Sequence, residues 1–230
     1  MTRWLGRCVP LVGLLFVSGC RGEILFQSNF DPTPVNQPPA AAQQVGTASI
    51  HGSAGSVIVI APPVTPSGKW VQIGRLTAGS DIAGFQGNFP AMAGEGEYTF
   101  TTTVFMPTGS GVATIQFERF GQPVNDVGGF LHLDLMPDNR VRIDDDDPST
   151  FGAFPRDKPF IVQVSLDITP SSSSARVVLS GEGASGTADR AIPPPFHNMA
   201  RQFGAIRLWM GFPHTGKFDA TNVVVRRKRN

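Results

Sequence analysis

"GGFLHLDLMPDNRVRID", residues 128–144, decides how this chain is read. Leu131, Leu133 and Leu135 alternate with His132 and Asp134, and a period of two sends neighbouring side chains to opposite faces of a strand. Pro137-Asp138-Asn139 then supplies turn chemistry: a fixed φ, followed by two short polar side chains that bond the local backbone and tolerate left-handed geometry. Val141 and Ile143 resume the alternation between Arg140, Arg142 and Asp144. The stretch predicts a strand, a tight turn and a returning antiparallel strand, with one face apolar and the other polar.

The same signature recurs on both sides. Alternating runs at 56–61, 70–75, 97–106, 112–120, 160–168, 175–180, 203–210 and 222–226 read as further strands, with breaks such as Pro107-Thr108-Gly109 between them. No later window carries a 3.6-residue apolar stripe of helical length, so no helix is expected beyond the N-terminal segment. Ten or so strands predict an all-β chain folded as a β-sandwich. Its expected core includes Leu131, Leu133, Leu135, Phe160, Val162, Val164, Leu166, Ile168, Ile206, Leu208 and Met210. "GEGASG" at 181–186 lacks the Lys and the following helix of a phosphate loop and reads as a hairpin.

Towards the N-terminus, residues 24–30 alternate well enough for a first strand, whereas "DPTPVNQPPAAAQQ" at 31–44 has no period and reads as an extended tether. Two arrangements stay open: a tether inside the domain, behind a first strand, or a tether ahead of it. The working division is a signal at 1–19, an N-terminal stretch at 20–44 and a sandwich at 45–230.

Residues 1–20 explain that division. Arg3 and Arg7 precede a short apolar run that ends at Ser18, Gly19 and Cys20. The run is too short for the roughly 20 residues of a membrane span and has the layout of a secretory signal. Val17-Ser18-Gly19-Cys20 resembles the lipobox of bacterial lipoproteins. That resemblance implies cleavage before Cys20, acylation of its thiol and anchoring in a membrane of the bacterial cell envelope. Arg21 follows where an inner-membrane retention signal usually shows Asp, which favours the outer membrane of a Gram-negative cell.

Composition narrows the partners. Of 19 Lys and Arg, Arg3 and Arg7 leave with the signal, so 17 remain against 18 Asp and Glu. A near-neutral chain lacks the basic stripe that nucleic acid requires, so no nucleic-acid partner is expected. The two cysteines are Cys8 and Cys20, so the processed chain forms no internal disulfide and no Cys-based metal site.

The quoted hairpin, together with "KPFIVQVSLDI" and "GKFDATNVVVRR", resembles the concanavalin A-like jelly rolls, a family of lectin, laminin-G-like and glucanase domains. The resemblance implies an all-β sandwich jelly roll and a glycan or another envelope component as partner. Glucanases of this kind carry Glu-x-Asp-x-x-Glu, because retaining hydrolysis needs two carboxyls about 5–5.5 Å apart. The five glutamates, Glu23, Glu95, Glu97, Glu118 and Glu182, do not form that motif. Only Glu95 and Glu97 are close in sequence, at a glycine-flanked strand entrance. A non-catalytic binding module is therefore expected, with a structural or partner-binding lipoprotein as the second reading and a divergent glycan-active enzyme as the third.

Strand parity nominates a ligand surface. With the leucines of "FLHLDL" inward, His132 and Asp134 point out; the same logic places Gln116 and Glu118 outside in "ATIQFER", and Arg207 and Trp209 outside in "AIRLWM". An aromatic plane beside donors and acceptors suits a sugar. The alternative is a covered face, with Trp209 packed under a loop and the polar groups satisfying one another. Trp70, Trp209 and Tyr98 are the only Trp and Tyr after the signal, so stacking residues are scarce. No cofactor is expected. The run Asp144, Asp145, Asp146 and Asp147 is a candidate for structural calcium, although neighbouring side chains of an extended chain point opposite ways and other ligands would be needed.

Overall fold

In the computed structural model, residues 22–64, 68–77, 81–125, 129–144, 149–211 and 213–229 are described. The quoted stretch folds as its pattern predicts. β8 (Leu131–Leu135) pairs antiparallel with β9 (Val141–Ile143), Leu135 facing Val141. Between them Met136 N–H donates to Arg140 O at 2.9 Å, and Asn139 takes the turn's left-handed position at φ 67°.

That hairpin belongs to a seven-stranded sheet among the described residues. Its other members are β2 (Thr47–His51), β5 (Ala83–Asn88), β7 (Ala113–Arg119), β10 (Thr150–Phe151) and β14 (Phe203–Met210), in the order β10-β9-β8-β7-β14-β5-β2. A second sheet holds β1 (Glu23–Ser28), β3 (Val57–Ile60), β4 (Trp70–Arg75), β6 (Gly96–Phe105), β11 (Pro159–Ile168), β12 (Ser173–Gly181), β13 (Ala184–Ala191) and β15 (Gly216–Arg227). Its order is β13-β12-β11-β6-β15-β4-β3, with β1 sharing the β4 edge of β15. Both sheets are antiparallel.

Between the sheets lies one apolar core. The eleven core residues named from alternation are each 3% exposed or less. Phe100 of β6 meets Phe117 of β7 edge-on at 5.4 Å, and Phe203 receives the edges of Tyr98, Phe89 and Phe130. Such ring pairs contribute about 0.5–1.5 kcal/mol each beyond the area they bury.

Three features differ from the sequence reading. β15 starts six residues before the expected 222, because Asn222 at φ 51° makes a bulge that resets parity: Phe218 and Ala220 face the core before it, Val223 and Val225 after it. β5 and β13 form from glycine- and alanine-rich stretches with few large apolar residues. A helix also appears, α1 (Pro194–Ala200), with proline in its first turn and Ala200 as its buried residue. Seven residues cannot display a stripe, and tertiary bonds hold it: His197 joins Ser173 Oγ at 2.8 Å and the Pro170 carbonyl at 3.2 Å.

At the N-terminus β1 lies inside the sheet, against the last strand. Residues 31–44 therefore run between two strands of the same domain. They are pinned there: Phe30 is buried, Lys69 Nζ donates to the carbonyls of Asp31 and Thr33, and residues 36 and 37 bond Val59 at the β3 edge.

Candidate functional site

The outer face of the seven-stranded sheet carries two adjacent polar rows. Pairing places Arg142, Asp134, Thr114 and Trp209 side by side across β9, β8, β7 and β14. The next row is His132, Gln116, Arg207 and Gln86. The first row opens to solvent, together with His132 at the end of the second.

Its opening is a pocket of about 190 Å³ lined by Val112, Thr114, His132, Asp134, Arg142, Trp209, Gly211 and His214. Asp134 forms the floor, 4% exposed. Thr114 Oγ1–H donates to its Oδ1 at 2.6 Å, and Arg142 donates to its Oδ2 from Nη2 at 2.5 Å and Nε at 3.2 Å. Two charge-assisted bonds on one oxygen hold carboxylate and guanidinium as a rigid unit. Trp209 forms a wall, half-buried, and its indole N–H has no acceptor among the described residues. Gly211 makes room for that ring, since a Cβ there would stand 2.0 Å from it.

Beyond His132 the second row is sealed, and so is Glu118, two residues along β7 from Gln116. Arg207, Glu118 and Gln116 are 0% exposed and Gln86 is 1% exposed, because the connection from β7 to β8 folds over them. Gly129 lies against Gln116 so closely that a Cβ would come within 2.5 Å of it, Gln86 donates to Gln122 O, and Arg207 Nη2 donates to Pro123 O at 2.8 Å. Beneath this roof Arg207 donates to Gln86 Oε1 from Nε and Nη2, and its Nη2 stands 3.1 Å from Glu118 Oε1.

The six residues nominated by parity are thus neighbours on one face, but they divide. His132, Asp134 and Trp209 line the pocket; Gln116, Glu118 and Arg207 are interior groups that answer one another. Parity tells which face a side chain takes and not what covers that face. Thr114 and Arg142 share the nominated parity and were readable by it, whereas His214 and Gly211 come from a connection without period. Trp70 and Tyr98 are 0% and 2% exposed, which leaves Trp209, among the described Trp and Tyr, as the one able to touch a ligand.

Glu95 and Glu97 stand elsewhere, at the end of the eight-stranded sheet, paired with Arg201 at 2.8 Å and Lys228 at 2.7 Å. Asp144 bonds protein groups: its Oδ1 accepts from His132 N–H and its Oδ2 from Arg190 Nε, both at 3.3 Å. Asp145, Asp146 and Asp147, and Cys20, lie outside the described residues. Among the described residues no three His, Cys, Asp or Glu side chains converge as metal ligands would.

No protein-family model and no curated protein matches the chain. Solved structures do. The chain is similar to a GH131 β-glucanase catalytic domain from Podospora anserina, with TM-score 0.57 and 14% identity over 91% of this chain and 98% of that one. It is similar to the glycoside hydrolase family 131 catalytic domain from Coprinopsis cinerea, with TM-score 0.53 and 13% identity over 91% and 96%. It is also similar to lectin II from Ulex europaeus, with TM-score 0.51 and 9% identity over 83% and 95%. Identities this low speak to the backbone alone, and what they establish is that this chain has the two-sheet jelly-roll fold of the concanavalin A-like lectins and glucanases.

Proposed function

We propose that the chain is a membrane-anchored lipoprotein of the bacterial cell envelope whose jelly roll binds carbohydrate without catalysis, in the pocket of His132, Asp134, Arg142 and Trp209. The observation that carries this reading is the half-buried indole beside a carboxylate fixed by Arg142 and Thr114. An apolar ring surface with a few oriented polar groups is what a sugar requires. At about 190 Å³ the pocket is smaller than the roughly 300–1,000 Å³ of sites for drug-sized ligands, so it suits one sugar ring or a glycan end. Jelly-roll neighbours that include a lectin add support at the level of fold.

The non-catalytic part rests on the carboxyls. Among the described residues Asp134 is the carboxylate lining the pocket, and it is committed to Arg142, while Glu118 on the neighbouring strand is sealed beneath the loop. Retaining hydrolysis needs a second carboxyl about 5–5.5 Å away, and among the described residues the pocket lining supplies none. A glycan array probed with the mature protein and with Trp209→Ala tests the proposal. Binding that the variant loses supports it, binding followed by release of reducing sugar would make the protein an enzyme, and an empty array favours the structural lipoprotein. Calcium at 144–147 is a separate proposal, tested by melting with chelator, because an ion held by the folded state alone raises its stability.

A further inference from the structure

We propose that one end of the sandwich rests directly on the bilayer, as an apolar and basic surface that fits anionic lipid. The proposal builds on the lipid anchor at Cys20 and adds which surface meets the membrane. Gly22 immediately precedes β1, packed so tightly on Arg227 that a Cβ would stand 2.2 Å from its carbonyl oxygen. Only Arg21 separates Gly22 from Cys20, and two residues of chain reach at most about 7 Å. The proline- and alanine-rich stretch at 31–44 lies after β1 and is pinned within the domain, so it adds no distance between anchor and sandwich. An acylated Cys20 therefore holds this end of the sandwich against the lipid headgroups.

The end itself has the composition such a position calls for. Met92, Phe120 and Phe196 are 55%, 45% and 37% exposed, three of the large apolar side chains that the described residues leave open. Met92 lies beside Glu23 and Arg227, around a cavity of about 120 Å³. Arg227 in turn borders Arg201 at the close of α1, the helix that carries Phe196, and Phe120 N–H donates to the carbonyl of the following Gln202. Around these apolar groups stand Arg119, opposite Phe203 on β14, Arg201 and Lys228, paired with Glu95 and Glu97, and Arg227, with Glu23 and Asp167 as the further acids and Arg229 next in sequence. Interfacial surfaces combine these two features, apolar side chains that enter the headgroup boundary and cations that meet anionic lipid.

Depth-dependent quenching tests the contact. The mature acylated protein has no other cysteine, so Met92→Cys, Asn198→Cys and Leu76→Cys each offer one thiol for a fluorophore. Leu76 is the control, 74% exposed at the opposite end, where β4 leaves the sheet. The proteins are reconstituted into phosphatidylcholine–phosphatidylglycerol vesicles that contain nitroxide lipid and are separated by flotation. The proposal expects probes at 92 and 198 to be quenched several-fold more than the probe at 76. Floating protein with equal quenching at all three positions overturns the docked end and leaves the anchor standing. Protein that fails to float overturns the anchor, and the docked end with it.

Discussion

Single residues separate what the pocket does from what holds it up. Trp209→Ala should abolish glycan binding at a smaller cost in melting temperature than truncation of a core residue such as Leu133, since the ring is half-buried and its N–H makes no hydrogen bond among the described residues; a loss as large as that of Leu133→Ala would assign it to packing. Glu118→Ala should leave the pocket's lining untouched and cost about 3–5 kcal/mol in urea unfolding, because it strips the buried Arg207 of its counter-charge. Asp219 gives a pH signature. Burial pushes its carboxyl up from 3.8 to about 6, against the hydrogen bond from Gln72 and the charge of Lys217. Between those values the folded chain keeps a proton that the unfolded chain has released, so stability falls as pH rises through the window and the deficit persists above it. Asp219→Asn, whose amide oxygen still accepts from Gln72, should stabilise by up to about 3 kcal/mol above pH 6 and by nothing below pH 3.8. A gain of equal size at both pH values would point to packing instead.

At the scale of elements, legibility followed side-chain size. The hairpin at 131–143 and the long strands β6, β11 and β14 alternate large apolar with polar residues, so face and register could be read directly. β5 could not, because glycine replaces the large residue where another chain segment comes close. A Cβ at Gly87 would stand 2.6 Å from the ring of Phe26, so a first-strand aromatic fills the space that β5 leaves. Gly87→Ala should accordingly cost about 1–3 kcal/mol through overpacking, and Phe26→Ala in the same chain should recover part of that loss; additive losses would mean that the two sites do not share the space. The candidate site was half legible for the same reason. Alternation nominated His132, Asp134, Trp209, Gln116, Glu118 and Arg207 alike, but the connection that roofs the last three has no period and left no trace in the pattern.

Over the whole molecule, the core is continuous from sheet to sheet, and the chain should unfold in one cooperative step. Leu133→Ala, at 0% exposure, should lower the unfolding free energy by about 2–5 kcal/mol without splitting the transition when fluorescence and far-ultraviolet circular dichroism are compared. Intact mass of membrane-extracted protein should exceed that of residues 20–230 by several acyl chains, all lost in Cys20→Ser. The place of β15 has a further consequence for how the protein reaches its working site. This strand lies between β6 on one side and β4 and β1 on the other, so until it arrives the eight-stranded sheet exists only as separate pieces, β13-β12-β11-β6, β4-β3 and β1, with open edges. Pairings across so much sequence form late. A chain still emerging from a ribosome or an export channel therefore cannot lock itself shut, and stays threadable until residues 216–227 are through; the same delay exposes unpaired strand edges to neighbouring chains, so a copy ending before Gly216 should be retained by holding chaperones or aggregate rather than accumulate as a smaller folded domain.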